Sequence, residues 1–91
     1  MDANECKVSV IIPVHNSEKT ISYCLKKIIS ESNKLESEII VVNDASTDNT
    51  LNILKEFKDI KIISLEHNKG AGNARNKGAD IAKYNNLCFV D

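Results

Sequence analysis

Ile39, Ile40, Val41 and Val42 follow one another with no polar residue between them. A strand with one wet face alternates apolar and polar residues, so an unbroken β-branched run belongs to a strand buried on both faces. Such a strand sits inside a parallel sheet with helices on either side. The chain supplies the other parts of that architecture. Residues 7–14 form a β-branched run before it, residues 60–65 a third strand-like run, and residues 87–90 a fourth that is apolar. Pro13 is tolerated near the end of the first run because the ladder is finishing there.

Helical patterns fill the gaps. Ile21, Leu25, Ile28 and Ile29 recur at helical spacing up to about Ser32, with Asn16 or Ser17 as the cap. Leu51, Leu54 and Phe57 mark a short second helix. Ala74, Gly78, Ile81 and Ala82 are expected to form the inner face of a third, where small residues allow close packing on a sheet. Strands alternating with helices imply parallel pairing through right-handed crossovers.

With 91 residues the chain holds one small domain. The 12 basic and 13 acidic residues are mixed along it, so no basic block suggests a nucleic-acid partner. No apolar stretch is long enough to span a bilayer. Residues 1–5 are polar and acidic, unlike a signal peptide. Cys6, Cys24 and Cys88 lack zinc-ligand spacing and read as reduced thiols, small buried hydrophobes of a cytoplasmic chain.

Open parallel sheets bind ligands outside the carboxyl ends of their strands. That rule selects residues 14–17, 43–48 and 66–75 and Asp91, where polar residues also concentrate. The first loop, Pro13-Val14-His15-Asn16, has none of the glycines that let a backbone approach a dinucleotide's pyrophosphate. It also lacks the acidic pair of a receiver domain. His15 either stacks on a base or simply sits at the sheet edge. In the second loop Asp44 can accept a hydrogen bond from a base or a ribose hydroxyl. Ser46, Thr47 and Asp48 are expected mainly as helix caps. The third loop holds Asn68, Gly70, Gly72 and Arg75, the chain's one arginine, whose planar fork suits phosphate. His67 has no metal-ligand partner at useful spacing and reads as structural. Asp91 would be the first acid of a metal pair.

Four blocks together resemble the family 2 glycosyltransferases with the GT-A fold. They are the run from Val8 through Pro13-Val14-His15-Asn16, the run from Glu38 through Asn43-Asp44-Ala45-Ser46-Thr47-Asp48, the run Asn68-Lys69-Gly70-Ala71-Gly72-Asn73-Ala74-Arg75-Asn76-Lys77-Gly78, and Phe89-Val90-Asp91. They cover nearly the whole chain, in family order and spacing. The resemblance implies a nucleotide-diphospho-sugar donor, with a UDP sugar expected. Pro13, Val14, His15, Asn16, Asp44, Arg75 and Asp91 carry over as donor-binding residues. Asp91 corresponds to the opening acid of the Asp-x-Asp motif that holds ribose and a Mg²⁺ or Mn²⁺ ion. His15 stands where a tyrosine is common, Asn43 where the first of two acids is frequent, and Ala45 where glycine is frequent. The rest of the metal motif, the acceptor half and the catalytic base lie downstream in family members, so no catalytic residue is assigned here.

The expectation is therefore a three-layer α/β/α, Rossmann-like half-domain with a parallel four-stranded sheet ordered 3-2-1-4. Residues 1–91 would be the nucleotide-binding part of a GT-A domain, cut at the start of the Asp-x-Asp motif and inactive alone. The parent would transfer a sugar with inversion and could associate with a membrane through later segments. A rival expectation is a stand-alone nucleotide-binding or assembly module. An exposed apolar fourth strand would favour self-association.

Overall fold

In a computed structural model, which describes residues 7–32 and 36–90, the run 39–42 occupies the interior of the sheet. It belongs to β2 (Ser37–Asn43), which pairs in parallel with β1 (Val8–Val14) on one side and β3 (Lys61–Ser64) on the other. The short β4 (Leu87–Phe89) pairs in parallel with the far edge of β1. The order is β3-β2-β1-β4, as expected from the resemblance. Ile40, Val41 and Val42 are fully buried, which accounts for the missing alternation.

The two faces of the sheet separate by residue parity. Val10, Ile12, Val14, Ile39 and Val41 pack with Ile21 and Leu25 of α1 (Ile21–Ser32) and Leu54 of α2 (Thr50–Leu54). Ile11, Ile40 and Val42 pack with Ala74 of α3 (Ala71–Ile81). The fold thus has three layers, with α1 and α2 on one face and α3 on the other.

Three expectations are corrected. α1 begins at Ile21 rather than just after Asn16-Ser17, because the groups that looked like its cap are engaged elsewhere. Ile81 is 47% exposed, not part of the inner face of α3, which packs over β1 and β2 through Ala74 and Gly78. Cys24 and Cys88 are free thiols but exposed rather than buried, one on α1 at the rim of an apolar groove beside Ile21 and Ile28 and one on the edge strand β4. Cys6 and Asp91 lie outside the described residues.

The amino ends of the strands meet in a polar node that the sequence did not advertise. Glu38 accepts hydrogen bonds from the Ser9 hydroxyl at 2.6 Å, from Lys61 Nζ at 2.8 Å and from the Lys83 backbone N–H. Ser9 Oγ in turn accepts the Tyr84 N–H at 3.1 Å. One carboxylate therefore joins β1, β2, β3 and the α3–β4 connection, at the end of the sheet opposite the loops of interest.

Candidate functional site

The ladder continues one step past the strands at their carboxyl ends. Val14 O accepts the Asp44 N–H at 2.8 Å, and Asn43 O accepts the Leu65 N–H at 2.9 Å. The loops after β1, β2 and β3 therefore leave the sheet at a common level, side by side.

Asp44 lies at the centre of the three. It is 3% exposed. A carboxylate buried to that degree needs donors, and the third loop provides them. Oδ1 accepts the Lys69 N–H at 3.1 Å and Oδ2 accepts the Gly70 N–H at 2.9 Å. Gly70 adopts φ 93°, a conformation that L side chains rarely take, so that this N–H can face Asp44 before α3 starts. Asp44 is thus a clamp between the second and third loops. Each of its oxygens still has lone-pair capacity for another donor.

Asn16 joins the first loop to the second. It adopts a left-handed φ of 49°. Its Oδ1 accepts the N–H groups of Thr47 at 2.7 Å and Asp48 at 3.3 Å, and its own N–H donates to Ser46 Oγ at 2.9 Å. Ser17 N–H donates to Thr50 Oγ1, and Glu18 N–H to Asp48 Oδ2. The amides ahead of α1 are therefore satisfied from the second loop and the first residue of α2, which is why Asn16 and Ser17 do not cap α1. Ser46 and Thr47 serve this junction too, rather than capping α2. Asp48 is not the cap of α2 either, since that position is held by Asn49, whose side chain makes no cap bond; from one residue earlier its Oδ1 accepts the Thr50 N–H at 2.9 Å and also the Thr50 hydroxyl. Desolvation raises the Asp48 carboxyl, but the hydrogen bonds from Thr50 and Glu18 outweigh it and hold the pKa below the usual aspartate value.

His15 is exposed, yet both ring nitrogens are engaged. Nδ1 lies 2.7 Å from the Asp44 carbonyl oxygen, while Nε2 lies 3.2 Å from Asn68 Nδ2 and 3.3 Å from Asn16 Nδ2. The ring sits where all three loops converge. Asn68 received no role from the sequence, although an amide two residues ahead of a glycine is a turn signal. Here its Oδ1 accepts the Gly70 N–H at 3.2 Å.

Pro13 and Val14 line an apolar groove of about 350 Å³ on the α1 side of β1, with Ile12, Ile21 and Val90. Gly72, in the first turn of α3, has open space where a side chain would go. Arg75 is half-buried further along α3. His67 is exposed beyond β3. The arrangement can hold and orient a ligand through a flat ring, a pre-set carboxylate and backbone groups. Among the described residues no three or more His, Cys, Asp or Glu side chains come together to hold a metal ion. These residues alone therefore do not fit a divalent-metal centre, and no step is assigned to one.

The family model for glycosyl transferase family 2 matches residues 9–91. The chain belongs to that family. It is 41% identical over 91 residues to the poly(ribitol-phosphate) beta-glucosyltransferase of Bacillus spizizenii, covering 93% of this chain and 14% of that protein. It is 40% identical to the Escherichia coli UDP-Glc:alpha-D-GlcNAc-diphosphoundecaprenol beta-1,3-glucosyltransferase WfaP, covering 92% of this chain and 34% of WfaP. Among solved structures, Staphylococcus aureus TarS 1-349 in complex with UDP matches with a TM-score of 0.85 and 39% identity, over 93% of this chain and 27% of TarS 1-349. TarS 1-349 in complex with UDP-GlcNAc matches equally well. This family member thus has the GT-A type of α/β fold found in TarS, and it spans about a seventh to a third of the relatives named here. No helix among the described residues is long and apolar enough to cross a membrane.

Proposed function

We propose that this chain is the donor-nucleotide half of a glycosyltransferase that moves a sugar from a nucleoside-diphospho-sugar of the uridine class to an acceptor hydroxyl, with inversion at the sugar. The observation that carries this reading is the convergence of the three strand-end loops on Asp44. It places the first-loop run 13–16 and Asp44 on one edge, in a fold that aligns with a UDP-bound relative. Pro13, Val14, His15 and Asn16 line the base and ribose. Asp44 accepts from the base, and Arg75 contacts the donor's phosphate side. Asp91 supplies one carboxylate toward ribose and a divalent cation, a site that the described residues do not complete. In the whole protein the acceptor oxygen attacks the anomeric carbon, the bond to the diphosphate oxygen breaks, and a base from outside these residues takes the hydroxyl proton. This chain's own contribution is to bind and orient the donor, and by itself it does not catalyse transfer.

Calorimetric titration of UDP into the 91-residue chain tests the reading. Saturable binding, displaced by UDP-GlcNAc, is expected, together with no sugar release from UDP-GlcNAc. A folded sample that takes up no UDP would overturn the proposal that this half binds donor alone. Sugar release by the isolated chain would overturn its assignment as a binding half.

A further inference from the structure

The amides around His15 are each oriented by a backbone group that can only donate. Asn68 Oδ1 accepts the Gly70 N–H, so Asn68 Nδ2 must point the other way, toward His15 Nε2. Asn16 Oδ1 accepts the N–H groups of Thr47 and Asp48, so Asn16 Nδ2 faces the same Nε2. Two NH₂ donors directed at one ring nitrogen require that nitrogen to carry a lone pair. The proton of the neutral ring then belongs on Nδ1, 2.7 Å from the main-chain oxygen of Asp44, which can only accept. Every donor and acceptor in the cluster agrees on this one assignment.

We propose that His15 is a positioning residue, locked as its Nδ1–H tautomer by Asn16 and Asn68, that pins the three strand-end loops around Asp44 and offers a ligand only the faces of its ring. The ligand part of this inference rests on the nucleotide reading above. With both ring nitrogens committed, His15 can recognise a base by stacking but has no hydrogen bond left to give it. Tyrosine or phenylalanine here could also stack, but neither could join the Asp44 carbonyl to two side-chain amides. Asn68 thereby gains a role, holding the stacking surface at a fixed angle to Asp44.

Long-range ¹⁵N–¹H correlation spectra of the labelled chain at neutral pH test the lock directly. The expected pattern is a protonated Nδ1 and a bare Nε2, unchanged when UDP saturates the chain. Asn68→Asp exchanges the donor for an acceptor of the same shape, and should move a proton onto Nε2. His15→Phe keeps a flat face and loses both ties, so UDP should bind about 10-fold more weakly, the loss expected of one or two hydrogen bonds. An Nε2–H tautomer in the wild-type chain would overturn the proposal, as would wild-type UDP affinity in a folded His15→Phe variant. If the wild-type chain takes up no UDP, the nucleotide reading fails on its own, and the tautomer of the ligand-free chain still decides the lock. Should Asn68→Asp fail to fold, the wild-type spectrum and His15→Phe decide it.

Discussion

Ile11 Cγ2 occupies the space that a side chain on Gly78 would need: a Cβ there would lie 2.5 Å from it, with Val42 Cγ2 at 3.3 Å. Both neighbours are fully buried and cannot swing away. Gly78→Ala should therefore destabilise the fold. Helix propensity favours alanine by about 1 kcal/mol, but overpacking a tight core costs roughly 1–3 kcal/mol. A net loss is expected, seen as a fall of several degrees in the thermal midpoint. An unchanged or raised midpoint would show that α3 can lift off the sheet at little cost.

Ala45 offers the opposite case. It adopts φ 55°, where a Cβ costs about 1–2 kcal/mol. Glycine, which the family resemblance leads one to expect at this place, would adopt that angle without the cost. Ala45→Gly should raise the unfolding free energy by roughly 0.5–1 kcal/mol once the entropy of glycine is subtracted, seen as a higher urea midpoint with the slope unchanged.

These two positions mark what could be read from the sequence and what could not. The run 39–42 declared its burial because periodicity is local, and the strand order followed from the family likeness. Asn16-Ser17-Glu18 read as a helix start because capping residues look alike whether they serve their own helix or another loop. Their partners, Ser46, Asp48 and Thr50, lie some 30 residues away. Asp44 was legible as a strand-end acid, but its ties to Lys69 and Gly70 cross 25 and 26 residues. Asn68 and Glu38 were passed over for the same reason. Ile81 was misplaced because helical spacing gives a direction and not the extent of the sheet beneath it.

The clamp at Asp44 has a consequence that does not depend on any ligand. Asp44→Ala leaves the Lys69 N–H without that acceptor and the Gly70 N–H with Asn68 alone. Amide hydrogen exchange at both positions should accelerate by about 10-fold or more, the equivalent of one lost charge-assisted bond. Exchange in β2 should stay close to wild type. Equal exchange at 69 and 70 in the two proteins would remove Asp44 from its clamping role.

Acid should unfold the chain partly through Glu38. Burial raises its carboxyl, but hydrogen bonds from Lys61, Ser9 and the Lys83 N–H, together with the charge of Lys61, outweigh burial and hold the pKa below the usual 4.5. A depressed folded-state value means that the unfolded chain binds the proton more readily. The stabilisation is therefore fully present above the ordinary glutamate value and is lost as pH falls through the lower folded-state value. Asp48 acts in the same direction. Glu38→Gln should lower stability at neutral pH by about 1–3 kcal/mol and flatten the acid limb of the urea midpoint against pH. A limb as steep as that of the wild type would assign the acid sensitivity to Asp48 and other carboxylates.

The edge at β4 predicts association. Leu87 and Phe89, 39% and 47% exposed, stand on the same face of β4, and no described strand pairs with its outer edge. Parallel strands are ordinarily covered on both faces, and open apolar edges recruit other chains. Sedimentation velocity over a rising concentration series should therefore show the 91-residue chain moving from monomer to larger species. Leu87→Lys with Phe89→Lys should hold it monomeric. Because both side chains are substantially exposed, the double variant should cost little stability, so its thermal midpoint separates loss of association from loss of fold. A wild-type chain that remains monomeric at the highest concentration reached would refute association through this edge. Association that persists in the folded double variant would place the contact elsewhere, and the apolar groove beside Pro13, Val14 and Val90 would be the next surface to test.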